Sequence, residues 1–267
     1  MSLPTTETLV LRQEGPFLHI TLNRPESRNA MSLTMVNELM AVFQAIADQT
    51  AIRAVVLRGA NGHFCAGGDI KDMAGARARA ASGESNAFRD LNRRFGEMIT
   101  LANQQPQVVV AVLEGAVLGG GFGLACVSDV ALAADNAQFG LPETGLGVIP
   151  AQIAPFVVQR VGLTQARRLA LTGARFNGSE AQRLGIVHES LPASELDTRL
   201  DAVLAQIRRC APQANRATKT LVLNTLAQPL EQVLDAAAAD FAAAVASEEG
   251  AEGTLAFVQK RLPHWAE

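Results

Sequence analysis

The chain has 267 residues, 48% apolar and 18% charged, with 23 Lys and Arg against 26 Asp and Glu for a net charge of −3. That balance excludes a phosphate-neutralising nucleic-acid protein, which needs a basic face, and no apolar run reaches the roughly 20 residues of a membrane span. At roughly 100–200 residues per domain, the length allows one or two domains. The three cysteines, Cys65, Cys126 and Cys210, form no CxxC pair, which predicts a reduced protein without disulfides or structural zinc. Residues 1–15 are partly acidic and lack an apolar h-region, so a secretory leader is not expected and a cytoplasmic location is.

The first predicted element is a strand over 17–22, Phe-Leu-His-Ile-Thr-Leu, alternating between Pro16 and the turn Asn23-Arg-Pro25. Leu33, Val36, Leu39, Met40, Phe43 and Ile46 make one helical stripe with Ser32 as its N-cap. Residues 54–58, 108–113 and 130–134 are apolar runs of strand length, suited to a parallel sheet covered on both faces. Residues 74–88, rich in Ala, Arg, Ser and Gly, read as a mobile loop or loosely held helix where a lid would sit. From Leu163 onward the pattern turns helical. Ser179-Glu-Ala-Gln182 reads as a capping box and Gly185 as a helix stop. Further helices are predicted over 195–210, 213–226, 230–247 and 253–262. Strands alternating with helices predict an α/β core over 1–194. Residues 195–267 read as a helical appendage whose alanine stripe, 236–239 and 242–244, serves subunit contact.

Three segments could carry chemistry. Gly62-His-Phe-Cys-Ala-Gly-Gly-Asp-Ile-Lys71 follows a strand and places two glycines where a turn can expose N–H groups. Gly115-Ala-Val-Leu-Gly-Gly-Gly-Phe-Gly-Leu124 follows another strand and leads into a helix, whose N-terminus stabilises negative charge. It is not a dinucleotide fingerprint, because the third glycine of GxGxxG is missing, and no Gly-Lys pair exists for a P-loop. Two N–H donors from two separate turns suit an oxyanion hole. The third segment, Phe139-Gly-Leu-Pro-Glu143, sets a carboxylate among apolar neighbours that would raise its pKa toward acid–base duty. Cys65 lies inside the first segment, yet no His–Asp pattern marks an activating base, so it reads as a packed thiol. His19, His188 and His264 lack metal-ligand spacing, so no metal is expected.

Together, 63–73, 115–129 and 137–150 resemble the crotonase superfamily of enoyl-CoA hydratases and isomerases, as do Asn23-Arg-Pro-Glu-Ser-Arg-Asn-Ala-Met31 and the stretch 171–187. The resemblance covers nearly the whole chain in order. It implies an α/β, ClpP-like crotonase spiral of ββα units with a C-terminal helical trimerisation region. The implied partners are an acyl-CoA thioester substrate and copies of the chain in a homotrimer or dimer of trimers, with no nucleic acid or membrane. No cofactor is implied beyond the coenzyme A of the substrate. The N–H groups of Gly68 and Gly120 would form the oxyanion hole and Glu143 the acid–base group. Ala66, Asp69, Ile70 and Lys71 would border CoA, Arg28 and Ala30 would lie where the first loop approaches it, and Lys260 would reach a nucleotide phosphate.

One departure bears on the reaction. The best-known hydratases of this superfamily use two glutamates; Glu143 fills the second place and the first falls on Gly123. Two enzyme readings follow: a hydratase in which Glu143 works alone or with another group, and a Δ3,Δ2-enoyl-CoA isomerase using Glu143 alone. The segment 147–158, with its Val148-Ile-Pro-Ala-Gln-Ile153, resembles the bacterial 3-methylglutaconyl-CoA hydratase branch, whose relatives include isohexenylglutaconyl-CoA hydratases. This favours hydration of a 3-branched glutaconyl-type thioester from leucine or acyclic terpene catabolism. Its second carboxylate needs a partner when buried, for which Gln152 is the candidate. Gly123 is expected to leave room beside the acyl chain. A non-catalytic acyl-CoA- or RNA-binding crotonase-fold protein is the reading from another class, against which the acidic balance and Glu143 both count.

Overall fold

A computed structural model describes residues 3–266. The predicted strand over 17–22 is β2 (Phe17–Leu22), preceded by a strand without a counterpart in the sequence reading, β1 (Leu9–Glu14). The two pair antiparallel across Gly15, whose φ of +54° suits a tight hairpin turn. Only Leu9 of β1 is buried, so this edge strand carries little of the alternation that marks a strand in sequence. Helix α1 (Leu33–Ile46) buries Val36, Leu39, Met40, Phe43 and Ile46. Ser32 caps it by accepting the Met35 N–H at 3.2 Å.

The strand β3 (Ala54–Gly59) is followed by two helices, α2 (Ile70–Ala81) and α3 (Ala87–Gln104). Of the two readings for residues 74–88, a loop or a loosely held helix, the helix holds for most of the segment, and only 82–86 connect the two helices. Alanine-rich sequence needs no apolar stripe to be helical when a cap starts it, and Asp69 provides that cap by accepting the Lys71 N–H at 2.8 Å. The helix over 87–104 is legible in retrospect, because Leu91, Phe95, Met98, Ile99 and Ala102 fall on one helical face.

Next come β4 (Val108–Leu113), β5 (Ala116–Leu118), α4 (Gly120–Val127), β6 (Val130–Ala134) and β7 (Gln138–Gly140). Helix α5 (Ala154–Thr172) starts earlier than Leu163 and bends at Gly162, where φ is +75°. After β8 (Arg175–Phe176), helix α6 (Gly178–Arg183) is capped by Asn177, which accepts the Glu180 N–H at 3.0 Å. The expected Ser179 box does not form; Gln182 instead accepts the Ser190 N–H. Gly185, at φ +76°, follows the last turn as predicted.

With β9 (Glu189–Leu191), the main sheet runs β1-β2-β3-β4-β6-β9, parallel from β2 onward. A second sheet, β5-β7-β8, stands apart from it. This is the α/β crotonase architecture of repeated ββα units. The strands from β2 onward run in parallel, so their C-terminal ends, with the glycine turns that follow β3, collect on one side.

Helices α7 (Leu196–Arg209), α8 (Pro212–Asn224), α9 (Leu230–Ala246) and α10 (Glu248–Val258) complete the chain. The last begins at Ser247, which caps it by accepting the Gly250 N–H, and ends before the predicted residue 262. Helix α7 buries Leu196, Leu200, Val203, Leu204 and Ile207 in the same core as the sheet. Lys219 of α8 reaches Asp129 at 2.6 Å, and Arg216 donates to the Ala47 and Gln49 carbonyls. By contrast α9 buries only Val233 and exposes Leu230, Leu234, Phe241 and Val245, while α10 exposes Phe257 and Val258.

Candidate active site

Two glycine turns meet because of how short strands pair. The segment around 65–69 lies between Met31 on one side and β5 on the other, with parallel bridges Met31 to Gly68 and Cys65 to Val117. Met31 donates to the Gly67 carbonyl at 2.8 Å and accepts the Asp69 N–H at 3.1 Å. In extended backbone, alternate N–H groups face opposite ways. The Gly68 N–H, set between those two bonds, thus points away from Met31 and has no acceptor among the described residues.

The second turn is fixed by pairing of β5 with β7. Leu118 lies opposite Gly140, and Gly119 donates to the Gly140 carbonyl at 3.1 Å. Gly119 has φ +50°, and Gly120 is the first residue of α4, so its N–H has no partner within the helix. The two turns approach closely: a Cβ on Gly119 would stand 3.4 Å from Gly67 Cα. Phe95 and Met31 wall the opening, at 3.0 and 3.6 Å from where a Gly120 Cβ would lie. Two free N–H groups on preformed turns can bind developing oxyanion charge without reorganising.

Glu143 belongs to this place. It follows β7 by three residues and opens a single tight turn closed by Gly147 at φ +76°. Its Oε1 lies 3.0 Å from the position of a Gly119 Cβ, and its Oε2 is buried without a hydrogen-bond partner. Burial pushes its carboxyl above the usual range, against the opposing pull of its own backbone N–H and the Arg175 charge. A desolvated, underbonded carboxylate beside two free N–H groups can move a proton while an oxyanion is held.

The neighbouring rim is clasped together. Ala66 donates to the Arg28 carbonyl at 3.0 Å, and Arg24 binds both the Ala30 carbonyl at 2.6 Å and Asp69 at 2.7 Å. Asn29, fully buried, donates to the Ala60 and His63 carbonyls. Arg28, Ala30, Ala66, Asp69 and Lys71 thus share one rim beside the first glycine turn, where Arg28, Ile70 and Lys71 are exposed. Asp69 is spent on structure: burial would raise its carboxyl, but the Lys71 N–H and the Arg24 guanidinium hold it below the usual range.

Two expected residues, Gly123 and Gln152, have other surroundings than the sequence suggests. The space beside Gly123 is not open, because a Cβ there would stand 2.3 Å from Ile153 Cγ2 and 2.8 Å from Ile99 Cδ1. Glycine at 123 lets α4 pack closely on α3 and α5 rather than making room for a substrate branch. Gln152 does not present a free amide: it donates to Asn92 at 2.9 Å and accepts from Arg93 at 3.4 Å. Lys260 sits in the turn after α10 with φ +54°, exposed and without a hydrogen bond from its side chain to the oxyanion turns. Arg24, Phe95, Ile99 and Ile153 were not foreseen, since their roles arise from contacts between distant segments.

Cys65 is fully buried, donates weakly to the Gly67 carbonyl at 3.6 Å, and has its thiol pushed up to about 11 by burial. It packs beneath the turn as a neutral thiol, not as a nucleophile. His63 and His188 accept backbone N–H bonds from Ala116 and Ala131 through Nδ1 and serve as scaffold. Alkylation of the folded protein with iodoacetamide should label exposed Cys210 and leave Cys65 and Cys126 unmodified. Mass mapping checks this, and fast labelling at Cys65 would contradict the packed-thiol assignment.

Among the described residues, no three His, Cys, Asp or Glu side chains converge as a metal site, and no helix is long and apolar enough to cross a membrane.

A parallel spiral with paired N–H donors and one desolvated carboxylate defines a crotonase-type enzyme. The sequence profile of the enoyl-CoA hydratase/isomerase family matches residues 12–267, and the chain belongs to that family. Its activity is of the hydratase/isomerase type. Among similar solved structures, Pseudomonas aeruginosa AtuE is 64% identical with a TM-score of 0.95, covering 98% of this chain and 100% of its own. The 2,3-dehydroadipyl-CoA hydratase of Escherichia coli is 33% identical, over 97% of this chain and 98% of its own. The peroxisomal Δ(3,5)-Δ(2,4)-dienoyl-CoA isomerase of Arabidopsis thaliana is 30% identical, over 99% and 98%.

Proposed function

We propose that this enzyme adds water across the α,β double bond of a 3-branched glutaconyl-type CoA thioester, with Glu143 as the acid–base group. The observation that carries the reading is the position of Glu143, whose unpartnered buried oxygen lies beside the paired glycine turns. The thioester carbonyl accepts the Gly68 and Gly120 N–H groups. Glu143 takes a proton from water as its oxygen attacks C3, and the resulting enolate is held by the two donors. The same carboxyl then returns the proton to C2, so one carboxylate serves both transfers and the elements of water are conserved. Arg28 and Lys71, exposed on the clasped rim, would meet the CoA phosphates, and Lys260 those of a neighbouring subunit. The reading needs no cofactor beyond the CoA of the substrate. The exposed apolar faces of α9 and α10 would be covered in a homotrimer or a pair of trimers.

A specific observation favours a second reading, the Δ3,Δ2-enoyl-CoA isomerase. Ile153 and Ile99 close the space at Gly123, so no second carboxylate stands there to share water activation. Incubation of the enzyme in H₂¹⁸O with a 3-methylglutaconyl thioester, and separately with a Δ3-enoyl-CoA, separates the two. The hydratase gives a hydroxyacyl-CoA carrying ¹⁸O. Double-bond migration without oxygen uptake would establish the isomerase instead.

A further inference from the structure

We infer that Arg93 binds the second carboxylate of a dicarboxylic acyl-CoA, held in place by Gln152 in a cradle that Gly96 leaves open. The inference rests on the glutaconyl reading of the site and adds the cation that reading requires. A Cβ on Gly96 would stand 1.9 Å from Gln152 Oε1 and 2.6 Å from an Arg93 guanidinium nitrogen. Glycine at this position is what allows both groups to lie against α3. Gln152 is oriented by donating to Asn92 at 2.9 Å, which leaves its carbonyl oxygen to Arg93 at 3.4 Å. That amide oxygen takes one donor and leaves the rest of the five N–H fork open.

Among the described residues Arg93 has no carboxylate partner. Its neighbour Arg94 has one, Glu97 at 2.9 Å. The chain neighbours of the cradle line the chemistry. Phe95, adjacent to Gly96, walls the Gly120 donor, and Ile153, adjacent to Gln152, seals the gap at Gly123. A planar fork suits a carboxylate bidentately, and a charge-assisted hydrogen bond is stronger than a neutral one. Gln152 acts here through Arg93, as a positioning residue.

The test uses binding rather than turnover. Isothermal titration compares glutaryl-CoA with valeryl-CoA, equal in carbon count and differing in a terminal carboxylate, on the intact enzyme and on Arg93→Met and Arg93→Lys. The intact enzyme should prefer glutaryl-CoA by about tenfold or more. Arg93→Met should bring that ratio to about one, and Arg93→Lys should retain part of it. No preference in the intact enzyme, or a preference that survives Arg93→Met, would overturn the assignment. Arg93 is exposed, so its replacement leaves no hole in the core. The H₂¹⁸O experiment judges the hydration reading separately, because affinity for a saturated thioester does not depend on turnover.

Discussion

Glu143→Gln should lower kcat/KM by about 10²–10⁴-fold, the range for loss of a positioned general acid–base group. Substrate affinity should change much less, because the Gly68 and Gly120 donors belong to the backbone and stay in place. The amide preserves the shape of the side chain and removes only its ability to move a proton. Steady-state kinetics with titration of a non-reactive thioester checks both parts, and retained turnover would transfer the acid–base role elsewhere.

The same carboxyl predicts a pH dependence. Burial favours the protonated form, so the basic form accumulates only above the ordinary carboxylate range. The acid limb of the kcat/KM profile should lie correspondingly high and vanish from the residual rate of Glu143→Gln. The linkage to stability has a definite sign. A raised folded-state pKa means that the native state holds its proton where the unfolded chain has lost it, so stability falls as pH rises through that interval. Glu143→Gln should therefore unfold at a higher temperature than the parent near neutral pH, with the difference shrinking on acidification. A variant less stable at neutral pH would show that the ionised carboxylate is better solvated than its burial implies.

Gly123→Glu should have the largest effect on stability. Its Cβ alone would collide with Ile153 and Ile99, and overpacking of this kind costs typically 1–3 kcal/mol. The carboxylate would then be buried beside apolar side chains without a partner, for a combined loss of about 3–5 kcal/mol. Denaturant unfolding measures it, and Ile153→Ala in the same chain should recover part of the loss by opening space. An unchanged unfolding midpoint for Gly123→Glu would mean that α4 shifts freely against α3 and α5. Restoring at Gly123 the first glutamate of the familiar hydratases thus requires changing the isoleucines around it as well.

The parallel strands were legible because β3, β4 and β6 are buried on both faces and carry continuous apolar runs. Edge strand β1 buries only Leu9 and left no comparable trace. Helix α2 could not be told from a loop for a related reason, since only Ala76 of its residues is buried and its helicity rests on alanine and the Asp69 cap. At the site, the glycine pairs and Glu143 announce themselves through motif order. The Arg24–Asp69 clasp does not, because the pairing of two loops so far apart in the chain has no local signature.

By itself, then, the sequence determined the strands and helices of an α/β core, and its resemblance to the crotonase superfamily singled out the two glycine segments and Glu143. The strands and helices depend on capping and apolar patterning within short windows, which act wherever the chain folds. Tertiary structure alone decided the surroundings of those groups. A glycine in sequence is compatible with open space or with a neighbour filling it, and only packing distinguishes them. Ile153 and Ile99 fill the space at Gly123, while the Gln152 amide and the Arg93 guanidinium occupy the space at Gly96. Burial likewise acts through every segment that surrounds Glu143, which is why its raised pKa follows from the folded site.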